Sequence, residues 1–335
     1  MSAAEVGQIQ CLQRKPLVNP IWLGTGMWLL VVALARPGMA SAILLGAPLI
    51  LVPLALDLVR DQYAAALPKR LFSLLPETQF PAATMLALAF FFDRGWLPAL
   101  LAVPWLGFTV LCAATGLAHA AWWRQQLGSL PPASELGCDL ALSFVAIGGA
   151  WTVVYLTGRP VLDFTDTMVQ LTAVHFHYAG FVLPIVVAQI ARCRPGRWTN
   201  ALLWVVAAAT FALAAGITAS PRLEVVAATA LVLAMAAVVI LQFQLALQNR
   251  WAWLALTISA VSLATGAALA LMYAIGEFVG SQPLAISTMI PTHGLAMSLG
   301  FSLPGLIGWR NRKHLDPRKK IDNFRNFLDD RNSDH

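Results

Sequence analysis

The chain has 335 residues, 59% hydrophobic and only 11% charged, with a mean hydropathy of +0.70 and a formal net charge of +6. Soluble domains carry about 25% charged residues, so the composition excludes an ordinary soluble protein and points to a polytopic membrane protein. The basic residues sit between apolar runs and form no basic domain, which argues for membrane orientation and against nucleic acid as a partner.

Apolar runs of about 20 residues predict an all-α, polytopic transmembrane helix bundle with about ten spans. The first is expected near 20–36, stopped by Arg36-Pro37-Gly38, and the second near 39–59, stopped by Arg60 and Asp61. A polar loop with Lys69, Arg70 and Glu77 follows, then a short third helix near 79–92. The remaining spans are expected near 96–122, 136–157, 166–191, 199–217, 223–247, 251–276 and 286–309. This divides the chain into a cytoplasmic N-terminal segment (1–19), a transmembrane bundle (20–309) and a basic cytoplasmic tail (310–335).

The charges fix the orientation. With both termini cytoplasmic, only Arg36, Arg94, Arg159 and Arg222 of the 22 Lys and Arg fall on outside loops. Positive charge belongs inside. Trp22, Trp96, Trp122, Trp123, Trp198, Trp251, Trp253 and Trp309 lie near predicted helix ends, the depth that amphipathic rings favour. At the N-terminus, Arg14 and Lys15 precede the apolar run and Ala33-Leu34-Ala35 resembles a cleavage site. The long polar lead favours an uncleaved first helix. In the tail, Ile321, Phe324, Phe327 and Leu328 fit an amphipathic surface segment as well as a plain charged tail. Cys11, Cys112, Cys138 and Cys193 are scattered without metal spacing, and a structural disulfide is not expected.

Prolines interrupt several spans, among them Pro48, Pro53, Pro104, Pro184, Pro291 and Pro304. A membrane helix tolerates proline where neighbours satisfy the freed carbonyl. The last span carries Gly294, Ala296, Ser298, Gly300, Gly305 and Gly308, small residues that let another backbone approach.

Polar chemistry concentrates in QLTAVHFHYAGFVLPIVVAQ, from Gln170 to Gln189. An ionisable group at membrane depth is costly and marks a functional site by default. At about 1.5 Å per residue, His175 lies roughly 14 Å below the start of its helix. His293 lies roughly 10 Å below the start of the last helix, so the two meet if these helices pack together. Residues two apart on a helix point about 200° apart, so His175 and His177 cannot chelate one metal on an intact helix. Thr172 and Tyr178 share the face of His175. The candidate substrate or proton site is therefore His175, His177, His293, Tyr178, Thr172, Gln170 and Thr292. The competing reading makes these histidines interhelical hydrogen-bonding groups. Asp57, Asp139 and His119 are expected near cytoplasmic helix ends, and Glu135 and Asp139 share a face at i,i+4. No nucleotide loop, HExxH, EF-hand or Ser-His-Asp order is present.

The VHFHY segment resembles the HFHY element of heme–copper oxidase subunit I, whose two histidines serve two hemes. That family needs six histidine ligands, whereas the candidates here are His119, His175, His177 and His293, so an oxidase is excluded while a b-type heme site stays open. A broader resemblance runs from Glu135 to Arg310. LTAVHFHYAGF, followed by His293, Gly294, Gly300, Phe301, Gly305, Leu306, Gly308 and Trp309, resembles the YndJ-like family of multi-pass bacterial membrane proteins. The resemblance implies a bacterial inner (plasma) membrane location and a transporter-like role. Such proteins often carry asparagine in an HG-x-x-N segment, where this chain has Ala296 and Met297.

Three functional readings follow. The first is a transporter-like protein for a small or lipophilic solute, because broken helices and titratable imidazoles suit a proton-coupled carrier. The second is a membrane-embedded enzyme, or a heme- or metal-binding protein, using the same histidines. The third is a non-catalytic assembly protein. Membrane lipid is the expected partner in all three.

Overall fold

The computed structural model describes residues 18–63, 66–161, 164–247, 252–281 and 284–314. Among these residues the backbone is helical nearly throughout, and the only β-type pairing is an isolated bridge between Val161 and Phe164. The protein is an all-α helical membrane protein. Its helices are α1 (Val18–Ala35), α2 (Met39–Gln62), α3 (Ala66–Ala89), α4 (Trp96–Leu127) and α5 (Ala133–Thr157). There follow α6 (Asp166–Cys193), α7 (Arg197–Ala219), α8 (Pro221–Ala246), α9 (Trp253–Phe278) and α10 (286–314). Seven of them, α2 and α4 to α9, are long and apolar enough to cross a membrane. Gly128 and Gly158 end α4 and α5 in the left-handed region, at φ 67° and 65°, the usual stop for a helix. Cys11, Trp251 and the tail from 315 lie outside the described residues.

The loop expected around Lys69, Arg70 and Glu77 is instead the first half of α3. Pro68, Phe72, Leu75, Gln79, Ala82, Ala83 and Leu86 are buried at helical spacing, with Lys69, Arg70 and Glu77 exposed between them. The polar face lowers the hydropathy of any window there, while the apolar stripe fixes the helix.

The chain forms two compact units, Met1–Ile185 and Val186–His335. In the first, α2 is buried at every residue from Ile43 to Leu56 and packs against α1, α3 and α6. Neighbours α3, α4, α5 and α6 pack in sequence. A Cβ on Gly116 of α4 would stand 2.5 Å from the Asp139 carbonyl oxygen of α5. One on Gly149 of α5 would collide with the Thr109 hydroxyl of α4. These glycines let α4 and α5 approach backbone to backbone, the contact that binds helices where lipid removes any hydrophobic drive between them.

The second unit packs α7, α8, α9 and α10 in sequence. Gly300, Gly305 and Gly308 of α10 sit against Ser262, Ser259 and Leu256 of α9. A buried network joins three helices there. Gln242 donates to the Ser259 hydroxyl at 2.9 Å, Ser259 to the Phe301 carbonyl at 2.9 Å, and Trp309 to the Gln242 carbonyl oxygen at 3.3 Å. Trp309 therefore lies inside the unit, 2% exposed, despite its place near a helix end.

Among the described residues, each unit has one helix that loosens into π geometry. In α2 the segment is Ala47–Leu51. The Val52 N–H bonds back five residues to Ala47, so in this register Pro53 leaves the Pro48 carbonyl without a donor. Gln79 of α3 supplies one at 2.6 Å. In α10 the segments are Ile290–Gly294 and Ala296–Ser302. There the hydroxyls of Thr292, Ser298 and Ser302 donate to the carbonyls of Thr288, Gly294 and Met297 at 2.6, 2.7 and 2.7 Å.

Candidate functional site

His177 is completely buried on α6. Its Nδ1 is 2.8 Å from the Ala173 carbonyl and its Nε2 is 3.0 Å from the Trp105 indole nitrogen on α4. A carbonyl only accepts and an indole N–H only donates. Nδ1 must therefore carry the proton while Nε2 accepts, and the imidazole is neutral with both nitrogens engaged. Gly148 of α5 makes the room, since a Cβ there would lie 2.6 Å from Nδ1. His177 thus offers no free nitrogen to a metal, a heme iron or a substrate proton.

His175 occupies the opposite side of the helix and is exposed, its Nδ1 2.8 Å from the Leu171 carbonyl. Tyr178 is buried and donates to the Ile43 carbonyl of α2 at 2.7 Å. Gln170 donates to the Ser41 hydroxyl of α2 at 2.7 Å, and Thr172 to the Met168 carbonyl at 2.8 Å. Tyr178 and Gln170 fasten the first half of α6 to α2, as His177 fastens it to α4, while Thr172 and His175 bond within α6. Arg94, on the turn between α3 and α4, pairs with Asp166 at 2.7 Å where α6 begins. The hydrogen bond that Arg94 donates to that carboxylate raises the guanidinium above its ordinary value.

His293 and Thr292 belong to the second unit. His293 is half-buried, its Nδ1 2.9 Å from the Gly266 carbonyl of α9. Met297 packs on the same glycine, whose Cβ position lies 2.5 Å from its sulfur, so the residue at the asparagine position fills space there. Thr292 is exposed. Among the described residues no group of three or more His, Cys, Asp and Glu is gathered as metal ligands.

A second polar cluster was not assembled by sequence reasoning. His119 of α4 and Asp139 of α5 are each 2% exposed. The imidazole Nδ1 stands 3.0 and 2.9 Å from the two carboxylate oxygens, which fixes its proton on Nδ1. Tyr63, immediately after α2, donates to Asp139 Oδ1 at 3.0 Å. Burial first, and then the Asp139 charge, hold the Tyr63 phenol well above its ordinary value, so it stays a donor. Rings of Tyr63, Trp123 and Trp122 surround the imidazole at 5.0, 6.1 and 6.2 Å. The clue in the sequence was Gly116, one helical turn before His119. It brings the Asp139 backbone against α4 and so sets the register of the pair.

Comparison with known proteins adds the family. The model of the YndJ-like protein family matches residues 42–301, most of the chain. The chain belongs to the YndJ-like family. It is 30% identical, over 211 residues, to the "Uncharacterized membrane protein YndJ" of Bacillus subtilis (strain 168). The match covers 62% of this chain and 38% of that relative, so the chain spans well under half the length of the YndJ protein it matches. No solved structure matches it. The YndJ-like region runs from within α2 into α10, and it contains both the His177 network and the His119–Asp139 pair. The membrane character read from composition agrees with the name of that relative.

Proposed function

We propose that the chain is a transporter-like protein of the bacterial inner membrane that carries a small or lipophilic solute. The observation that carries this reading is the loosened, proline-bearing π segment in each unit, Ala47–Leu51 in α2 and Ile290–Gly294 with Ala296–Ser302 in α10. Interrupted helices at membrane depth are what a carrier uses to expose backbone carbonyls to cargo and to bend between states. Gln189 adds to it. It is 5% exposed, and its Nε2 has no hydrogen-bond partner among the described residues. Such a donor is satisfied by a ligand or by water.

In this reading α1 to α10 all span the membrane, with both termini cytoplasmic and a basic tail on the inner surface. Arg36, Arg94, Arg159 and Arg222 are the only Lys or Arg left outside, as orientation by positive charge requires. A phosphatase fused after His335 should stay in the cytoplasm and be inactive; a fusion active in the periplasm refutes the cytoplasmic C-terminus.

The test of transport is reconstitution into liposomes with a trapped pH dye and a panel of small organic solutes. Solute-dependent proton movement is expected, and it should fall in Pro53→Ala and Pro291→Ala, which remove the interruptions. Movement equal to that of empty liposomes for the whole panel, with uptake of labelled solutes also absent, rejects the carrier reading.

A further inference from the structure

We propose that His119 and Asp139 act as one unit that binds a single exchangeable proton, the coupling ion of the carrier. This rests on the carrier reading for its role, but the proton site is argued from its own geometry. Asp139 is 2% exposed on a membrane-spanning helix, and among the described residues His119 is the only cation partner in salt-bridge range. A buried carboxylate without a counter-charge is strongly disfavoured. The pair becomes neutral by taking up one proton, held as imidazolium beside carboxylate or as carboxylic acid beside imidazole. Such coupled groups titrate as a pair.

The geometry names the atom that receives it. Asp139 occupies Nδ1 through both of its oxygens. Nε2 of His119 makes no hydrogen bond among the described residues. In the imidazolium form, hydronium gives its proton to the Nε2 lone pair and becomes water, the reverse step returns it, and the Nδ1–H bond to Asp139 is kept. The indole rings of Trp122 and Trp123 stand close enough to favour a cation there. The other titratable groups facing the pair are few. Tyr63 comes from the end of α2 and Cys138 from α5, while α3 contributes the apolar ring of Phe72 against Tyr63. Arg124 on α4 and Lys69 and Arg70 on α3 are exposed, and Glu135 is half-buried one turn before Asp139. His177 is the contrast, because both of its nitrogens are already bonded.

The experiment is ¹⁵N-histidine NMR of the full chain in lipid nanodiscs between about pH 5 and 8, with His119→Gln to assign the resonance. The expected result is that His119 Nε2 gains a proton reversibly as pH falls, that Asp139→Asn abolishes or displaces that change, and that His177 Nε2 stays unprotonated. A His119 resonance constant across the range, or one that changes identically in Asp139→Asn, overturns the proposal. Should Asp139→Asn fail to fold, Tyr63→Phe keeps the pair and removes one hydrogen bond from the carboxylate. A displaced midpoint then supports the proposal and an unchanged one counts against it. Titration without solute flux rejects only the carrier reading; solute-dependent proton flux without titration rejects this one.

Discussion

Gly148→Ala offers a stringent test of the packing around His177. The added methyl would stand 2.6 Å from Nδ1, 2.9 Å from Cε1 and 3.3 Å from Cγ of the imidazole. These atoms belong to a rigid ring held at both nitrogens, so the side chain cannot swing away. To regain ordinary contact the ring must move by several tenths of an ångström. That stretches the 2.8 Å bond to the Ala173 carbonyl, the 3.0 Å bond from Trp105, or both. Overpacking a core costs about 1–3 kcal/mol, and a hydrogen bond between membrane helices contributes about 0.6 kcal/mol on average. Together they give about 2–4 kcal/mol. The assay is reversible unfolding in mixed detergent micelles, with Gly107→Ala on α4 as control, since a Cβ there meets nothing within 4 Å beyond its own stretch of helix. The control should change stability by under about 0.5 kcal/mol. In a His177→Ala background the ring is gone, so Gly148→Ala should become nearly neutral, a non-additivity that defines contact. If Gly148→Ala costs no more than Gly107→Ala, the described fit of α5 against α6 is wrong.

Other substitutions test the remaining polar contacts. Gln79→Leu leaves the Pro48 carbonyl without its donor and should cost about 1–3 kcal/mol in the same unfolding assay; a neutral result would mean that α2 does not depend on α3 for that carbonyl. Gln242→Leu strips partners from Ser259 and Trp309 together and should cost about 1–3 kcal/mol, with faster proteolysis of the α8–α10 region as a second readout. His175→Ala should cost much less stability than His177→Ala, because one side chain is exposed and the other is wholly buried. Equal losses would contradict that placement.

Helix existence was legible because spans are written in hydropathy, and α4 to α9 follow their apolar runs closely. The start of α3 was hidden because Lys69, Arg70 and Glu77 lower the local hydropathy, although the stripe from Phe72 through Leu75, Gln79 and Leu86 already had helical spacing. The π segments were not legible. Proline in the sequence marks a lost donor but does not say whether the helix kinks, widens or borrows a donor, and in α2 the answer lies with Gln79, 31 residues away from Pro48. The H-x-H spacing did predict two histidines on opposite sides of α6, since that follows from helical geometry alone. Which of them is buried depends on Gly148 and Trp105, and spacing within α6 carries no information about either. His119 and Asp139 were both expected at the same ends of adjacent helices, but their pairing needs the register of α4 on α5, and that register is set by a contact at Gly116.

The two polar clusters differ in the quantity that matters most in a bilayer, the hydrogen-bonding capacity left over after folding. Lipid offers no replacement partners, so a fully bonded group is held in one state and a partly bonded one is left with something to bind. His177 has no remaining capacity: donor and acceptor are both satisfied, and removing either partner leaves a buried polar atom. Its conspicuous motif therefore serves to fix α4, α5 and α6 against one another. His119 is also buried, yet among the described residues its ring is hydrogen-bonded on one side only, to the Asp139 carboxylate. On the proposal above, His119 takes up a proton without breaking a helix contact, whereas protonating His177 would displace Trp105 from Nε2. If function follows the group that can change state at least structural cost, then loss of proton-coupled activity should track His119→Gln in stable protein. His177→Ala should lower activity only in proportion to folded protein recovered. The reverse pattern, with stable His177 variants inactive and His119 variants fully active, would return the chemistry to α6.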